Sequence, residues 1–325
     1  RALAEAFYYY GANCLMVGPS SNYMDKSDSK LFANWIQTDS WASEKEDAEN
    51  LKVIAKRYSA DFLVLDDYRI KLTYQLFLHQ AGIRWLQFEQ CPLNARYADW
   101  VVYANPNAIA YYENHEPLNK NQVLFLGPSY AVLRKEFWGS VYSQSPATND
   151  DFLKIVCILG GGSDRGVVRY VVEEFKNLDI SKKSLTIVAG FHNPLNVENK
   201  ILCSQFPEIQ YIVDPEQVAG FIRGSDIAVS SGGTLTYEFA SLGIPMIIIA
   251  LAQNQISAQS WEDAGCAIYA GEYKNLEYGY LKRILMRIAE NKNIKNKMIL
   301  SQQKYDCGQG ALKIAQQVLS DLGVP

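Results

Sequence analysis

The residues best arranged for chemistry form one ordered set: DIAVSSGGTLTYE over 226–238, LGIP over 242–245 and AQNQ over 252–255. An apolar run closes at Val229, and Ser230, Ser231, Gly232 and Gly233 then make a turn without bulky side chains. Thr234 is of a type that caps helices, and Glu238 would fall about one turn in. Gly243 and Pro245 stop that helix ahead of the apolar strand 246–250. A glycine turn opening a helix offers backbone N–H groups and the positive end of the helix dipole, which suits a phosphate. A carboxylate one turn in can accept hydrogen bonds from vicinal ribose hydroxyls. The glycines alone fit an ordinary βα turn equally well; the ordered set as a whole does not reduce to one.

Ligands of open α/β sheets bind outside the carboxyl ends of the strands, so other strand-end turns matter too. GGGSD at 160–164 follows the apolar strand 155–159. Gly161, Gly162 and Ser163 would let backbone approach a ligand closely, and the next helix favours an anion; a plain tight turn is the alternative. The turn lacks the GKS or GKT ending of a P-loop, and it lacks GxGxxG with a later acidic residue, so no nicotinamide cofactor is expected. Asn254 and Gln255 stand at a strand-to-helix junction, where amides bond sugar hydroxyls or phosphate oxygens; Asn254 as a helix cap is the alternative. In the first half, DDY at 66–68 ends a strand. Asp66 and Asp67 beside the Tyr68 phenol suit acid–base work, because neighbouring like charges raise one pKa. Capping the next helix is their other use. His192 follows the strand 185–189, and a surface histidine is the simpler reading.

The elements that position these groups alternate. Strands are expected at 14–17, 61–65, 83–88 and 100–103, with helices at 43–57 and 72–81, and Ser43 with Glu46 reads as a capping box. A polar, turn-rich crossing over 119–150 separates this half from a second. There, strands 155–159, 185–189, 209–213, 227–229 and 246–250 interleave with helices 166–177 and 215–224. Helices 281–291, 295–304 and 311–322 finish the chain. Such alternation predicts an α/β fold with parallel sheets, two doubly wound Rossmann-like domains facing a cleft: residues 1–140 on the catalytic side and 151–325 as the nucleotide side. The last helix is expected to pack back on the first domain. The chain opens in helical character at Arg1, so a first strand and glycine turn are expected upstream.

The 325 residues suffice for two cores. Hydrophobic residues at 48% and charged residues at 20% describe a globular chain. A net charge of −4 and a pI near 5.6 argue against nucleic acid or acidic membrane as partners. No apolar run reaches the roughly 20 residues of a membrane span, and no signal peptide is visible, so a cytoplasmic protein is expected. The six cysteines lack CxxC spacing and the three histidines lack metal-ligand spacing, so no metal site is expected. A monomer is the default.

LGPSYAVLRKEF at 126–137 resembles the LLGPxYALLRxEF segment of the UDP-sugar hydrolases of pseudaminic acid biosynthesis. GGSD at 161–164, SGGT at 231–234, Tyr237 with Glu238, LGIP at 242–245 and Asn254 with Gln255 match in the same order, and DDY resembles the family's DHY. The resemblance spans essentially the whole chain. It implies a GT-B fold related to MurG-type glycosyltransferases and an inverting attack of water at the anomeric carbon of a UDP-linked 2,4-diacetamido-2,4,6-trideoxy hexose, without cofactor or metal. Residues 231–234 would hold the diphosphate, Glu238 the ribose, Asn254 and Gln255 the phosphate–sugar end, and Tyr68 the sugar. Asp67 replaces the family's middle histidine. The family's GxGHxxR turn, with its histidine base, would precede Arg1, so slow turnover is expected, with Asp67 or Tyr68 as substitute base. The alternatives are a GT-B glycosyltransferase with a UDP-sugar donor and a non-catalytic nucleotide-sugar binder.

Overall fold

The computed structural model describes residues 1–18, 24, 28–38, 43–67, 69–89, 93–114, 116–139 and 152–324. The chain divides into two units, residues 1–135 with 309–325 and residues 136–308. The expected boundary over 140–151 lies outside the described residues.

In the first unit the strands are β1 (Cys14–Gly18), β2 (Phe32–Gln37), β3 (Leu63–Leu65), β4 (Trp85–Phe88), β5 (Trp100–Tyr103) and β6 (Val123–Leu126). Among the described residues, β1 and β2 form a parallel pair, and β3 to β6 form a parallel four-stranded sheet in consecutive order. Helices α1 (Ala2–Tyr9), α2 (Asp28–Leu31), α3 (Glu44–Arg57), α4 (Leu72–Gln80) and α5 (Ala108–Tyr112) connect them. At α3 the Ser43 Oγ accepts from the Glu46 N–H at 3.2 Å, half of the expected capping box. The strand expected from 61 is shorter, because Asp61 and Phe62 precede the ladder. Four elements go beyond the expectation: α2 and α5 are helices of only four and five residues, Phe32–Gln37 lacks clean alternation, and β6 falls within the expected crossing.

The second unit holds β7 (Leu153–Ile158), β8 (Lys183–Ala189), β9 (Ile209–Val213), β10 (Ile227–Ser231), β11 (Met246–Ala250) and β12 (Ala267–Glu272). Its helices are α6 (Val167–Lys176), α7 (Asn196–Cys203), α8 (Ala219–Arg223), α9 (Leu235–Ser241), α10 (Gln259–Asp263), α11 (Tyr280–Glu290) and α12 (Lys292–Gln303). The sheet is parallel throughout in the order β12-β11-β10-β7-β8-β9. Every residue of β10 and β11 is buried, which is why both read as unbroken apolar or small-residue runs rather than as alternation. The apolar stripes of α6 (Val168, Val171, Val172, Phe175) and α11 (Leu281, Ile284, Leu285, Ile288) cover the sheet. The helix expected over 215–224 is only Ala219–Arg223; Asp214 at φ +50° and Pro215 turn the chain first.

The last helix, α13 (Gly310–Asp321), belongs to the first unit and lies on α1. Its Asp321 accepts from the Trp100 indole at 2.7 Å. A Cβ at Gly310 would collide with the backbone of Ala131, so only glycine lets this helix start so close.

Candidate functional site

The site is built where the sheet of the second unit reverses its strand order. Chain connection runs outward from β7 through β8 to β9, then returns to β10 on the other side of β7 and runs outward again. The loops after β7 and β10 therefore leave in opposite directions, opening a crevice at their carboxyl ends. GGGSD at 160–164 follows β7, and residues 231–234 follow β10. The expected turns thus stand on the two strands that flank the switch point.

Their neighbours fix them closely. A Cβ at Gly232 would lie 2.7 Å from the Gln255 carbonyl oxygen and 2.8 Å from the Ala258 Cβ. Glycine at 232 is what lets the turn after β10 rest on the turn after β11. A Cβ at Gly233 would be 3.9 Å from the Gln255 Nε2, and one at Gly160 would be 3.9 Å from the Ser231 Oγ. Gly161 and Gly190 touch backbone to backbone, so the turn after β7 leans on the end of β8. Gly160 thus neighbours Ser231, Gly232 and Gly233 neighbour Gln255, and Asn254 is exposed beside Gln255.

Several side chains do other than expected. Thr234 precedes α9, but its side chain makes no cap hydrogen bond; the Thr236 hydroxyl instead donates to the Gly233 carbonyl at 2.9 Å. Glu238 lies in the first turn of α9 and is buried, with 5% exposure. Ser231 is buried as well, at the end of its strand. Asn254 and Gln255 fall in a 3-10 turn, Gln253–Ala258, where no side chain caps; the Gln255 Oε1 accepts from the Leu251 N–H at 2.9 Å and braces its own loop.

In the first unit, Asp67 follows β3 and is committed to Arg69. Its carboxylate accepts from the Arg69 Nε at 2.9 Å, the Arg69 Nη2 at 2.6 Å and the Arg69 N–H at 2.8 Å. The Arg69 hydrogen bond holds the Asp67 carboxyl below the usual carboxylate range. Such a group is ionised at neutral pH and is a weak base. Tyr68 and His115 lie outside the described residues. His79 packs against Tyr97, with ring centroids 5.1 Å apart, and His192 packs against Phe191 at 5.3 Å; both of the latter are exposed at the end of β8. Among the described residues no group of three His, Cys, Asp or Glu side chains has metal-site geometry, and no helix is long and apolar enough to cross a membrane.

Sequence reasoning missed a buried polar cluster behind the 160–164 turn. Asp164 is 2% exposed and is met by the Asn193 and Asn199 amides, each at 2.6 Å. The available signal was a set of three asparagines, Asn193, Asn196 and Asn199, just beyond a strand end.

No family model matches the chain. It is 24% identical over 231 residues, 69% of this chain and 47% of the other, to the uncharacterized protein MJ1062 of Methanocaldococcus jannaschii. It is 24% identical over 153 residues, 46% of this chain and 44% of the other, to the spore coat polysaccharide biosynthesis protein SpsG of Bacillus subtilis. The chain thus spans less than half the length of these curated relatives. Among solved structures it superposes on MurG of Acinetobacter baumannii with a TM-score of 0.71 at 15% identity, covering 98% of this chain and 94% of that one. MnaA of S. aureus, solved with UDP, gives 0.67 at 13% identity, covering 100% and 93%. The fold is GT-B-like. At these identities the likeness carries the architecture alone.

Proposed function

We propose that this chain binds a uridine diphosphate sugar at the switch point of its second unit and cleaves the sugar from UDP. The observation that carries the reading is the placement of residues 160–163 and 231–234 on β7 and β10, the two strands between which the sheet changes direction. The glycine turns would give backbone N–H groups to the diphosphate, and Glu238, in the first turn of α9, would take the ribose hydroxyls. The likeness to MurG and to the UDP-bound MnaA supports a nucleotide-sugar ligand.

In the reaction, the bond from the anomeric carbon to the diphosphate oxygen breaks and its electron pair leaves with UDP. Backbone donors at the two turns would stabilise that growing charge. A water oxygen bonds to the opposite face of the carbon, and its proton passes to solvent. Water as acceptor follows from the resemblance to the pseudaminic acid hydrolases over residues 126–137 and 231–238, with a UDP-linked diacetamido-trideoxy hexose as substrate. The likeness to MurG favours a second reading, transfer of the sugar to another hydroxyl.

The test is calorimetric titration of UDP into wild type and Glu238→Ala. Losing a hydrogen bond to a charged acceptor costs about 1.5–3 kcal/mol, so the variant should bind roughly 10- to 100-fold more weakly. Equal affinities would remove Glu238 from the site. UDP release measured with and without added acceptors then separates hydrolysis from transfer.

A further inference from the structure

We propose that Asp164, Asn193 and Asn199 are positioning residues that hold the 161–163 turn in the one arrangement able to receive a diphosphate. The inference rests on the nucleotide-sugar reading above and adds to it how the turn is kept in shape.

A carboxylate is an expensive group to bury, and Asp164 is buried between strand ends rather than at the surface. Its acceptor capacity is used by three donors from separate segments. The Oδ1 takes the Gly166 N–H at 2.7 Å, across its own turn. The Oδ2 takes the Asn193 Nδ2 from the loop after β8 and the Asn199 Nδ2 from α7, each at 2.6 Å. These are charge-assisted bonds, short and strongly directional. Asn193 is itself set by its Oδ1, which accepts from the Leu195 N–H at 3.2 Å. Asn196 extends the lattice, donating to the Gly190 carbonyl at 3.0 Å and accepting from the Tyr211 hydroxyl of β9 at 2.7 Å.

The turn needs such support. Arg165 and Gly166 are consecutive left-handed residues, at φ +57° and +82°, and Arg165 has no glycine's freedom there. On the other side, Gly161 presses against Gly190. The turn is thus clamped from below by the Asp164 carboxylate and from the flank by the end of β8. Its backbone can meet a ligand without first paying to become ordered.

Asn199→Ala tests this with the milder perturbation, since it removes one donor and leaves the Gly166 and Asn193 bonds; Asp164→Asn removes the charge. Amide hydrogen exchange is followed by mass spectrometry at 160–166 and at 231–235, with UDP titrated by calorimetry on the same folded samples. Both variants should exchange faster at 160–166, by roughly tenfold for one lost charge-assisted bond, while 231–235 stays unchanged. UDP should bind roughly three- to tenfold more weakly. Unchanged exchange at 160–166 in folded Asn199→Ala would overturn the positioning role. Faster exchange with unaltered UDP affinity would overturn it as well, because a merely structural cluster behaves that way. If wild type takes up no UDP, the functional reading fails at that point, and the role assigned to the clamp falls with it.

Discussion

Gly232→Ala is the substitution from which the geometry demands most. A methyl group there would stand 2.7 Å from the Gln255 carbonyl oxygen, 2.8 Å from the Ala258 Cβ and 3.0 Å from the Gln255 Cβ. Carbon contacts relax near 3.5–4.0 Å, so the turn after β10 and the 3-10 turn Gln253–Ala258 would have to part by about 0.5–1 Å. All three obstacles are backbone or Cβ atoms, which cannot swing aside as a long side chain would. Overpacking of this kind costs about 1–3 kcal/mol. At roughly 2–4 °C per kcal/mol for a unit of this size, melting should fall by about 2–12 °C. Gly233→Ala is the control one residue on: its methyl would meet only the Gln255 Nε2 at 3.9 Å, and neither glycine has a positive φ. Its melting temperature should stay close to wild type. The assay is thermal unfolding of all three proteins, with UDP titrated into each at 20 °C below its own transition. Equal melting for Gly232→Ala and wild type, or a larger loss for Gly233→Ala, would show that the turns after β10 and β11 are not seated on each other as described.

Asp67→Asn should narrow stability only where Asp67 is ionised. Its pKa is depressed by Arg69, so the contribution is present above the ordinary carboxylate value near 3.9 and is lost as pH falls through the lower folded value. The melting gap between wild type and Asp67→Asn should be open at pH 7 and closed in strong acid; a gap constant to pH 2 would refute the pairing. Thiol alkylation gives another check. Burial pushes Cys203 up to about 11 and Cys266 up to about 12, and raises Cys157 as well. At pH 8 these three should resist iodoacetamide in the folded protein and label after unfolding, read by peptide mass spectrometry. Rapid native labelling of Cys266 would contradict its burial.

Much of the second unit was legible because both halves of its logic are written locally. Its central strands β10 and β11 are buried on both faces, and glycines mark the turns that follow β7 and β10. What was not legible came from contacts distant in sequence. Whether Glu238 is covered depends on what packs over α9, and nothing between 226 and 238 reports that. The Asp164 cluster joins residues up to 35 apart through side chains that, read singly, are ordinary loop asparagines. Asp67 looked like half of a carboxylate pair with Asp66; the partner it found was Arg69, two residues the other way. Pairing by charge is a short-range competition, and adjacency in the sequence does not decide it.

The run at 126–137, the most specific part of the family resemblance, also has an architectural role. Gly127 takes φ +90°, which frees the chain to turn out of β6, and Pro128 opens the 3-10 turn Pro128–Tyr130. The Tyr130 ring packs on Phe125, with centroids 5.2 Å apart, and Ala131 is the surface against which α13 starts at Gly310. Glu136 already belongs to the second unit, where its Oε2 accepts from the N–H groups of Val218 and Ala219 at 3.1 and 3.0 Å, and so closes the start of α8. Phe137 is fully buried. Each of these positions has an architectural reason for its residue type, at the place where the chain passes from one unit to the other. These architectural reasons stand beside the resemblance and do not by themselves name the acceptor. The choice between water and another hydroxyl rests on UDP release measured with and without added acceptors.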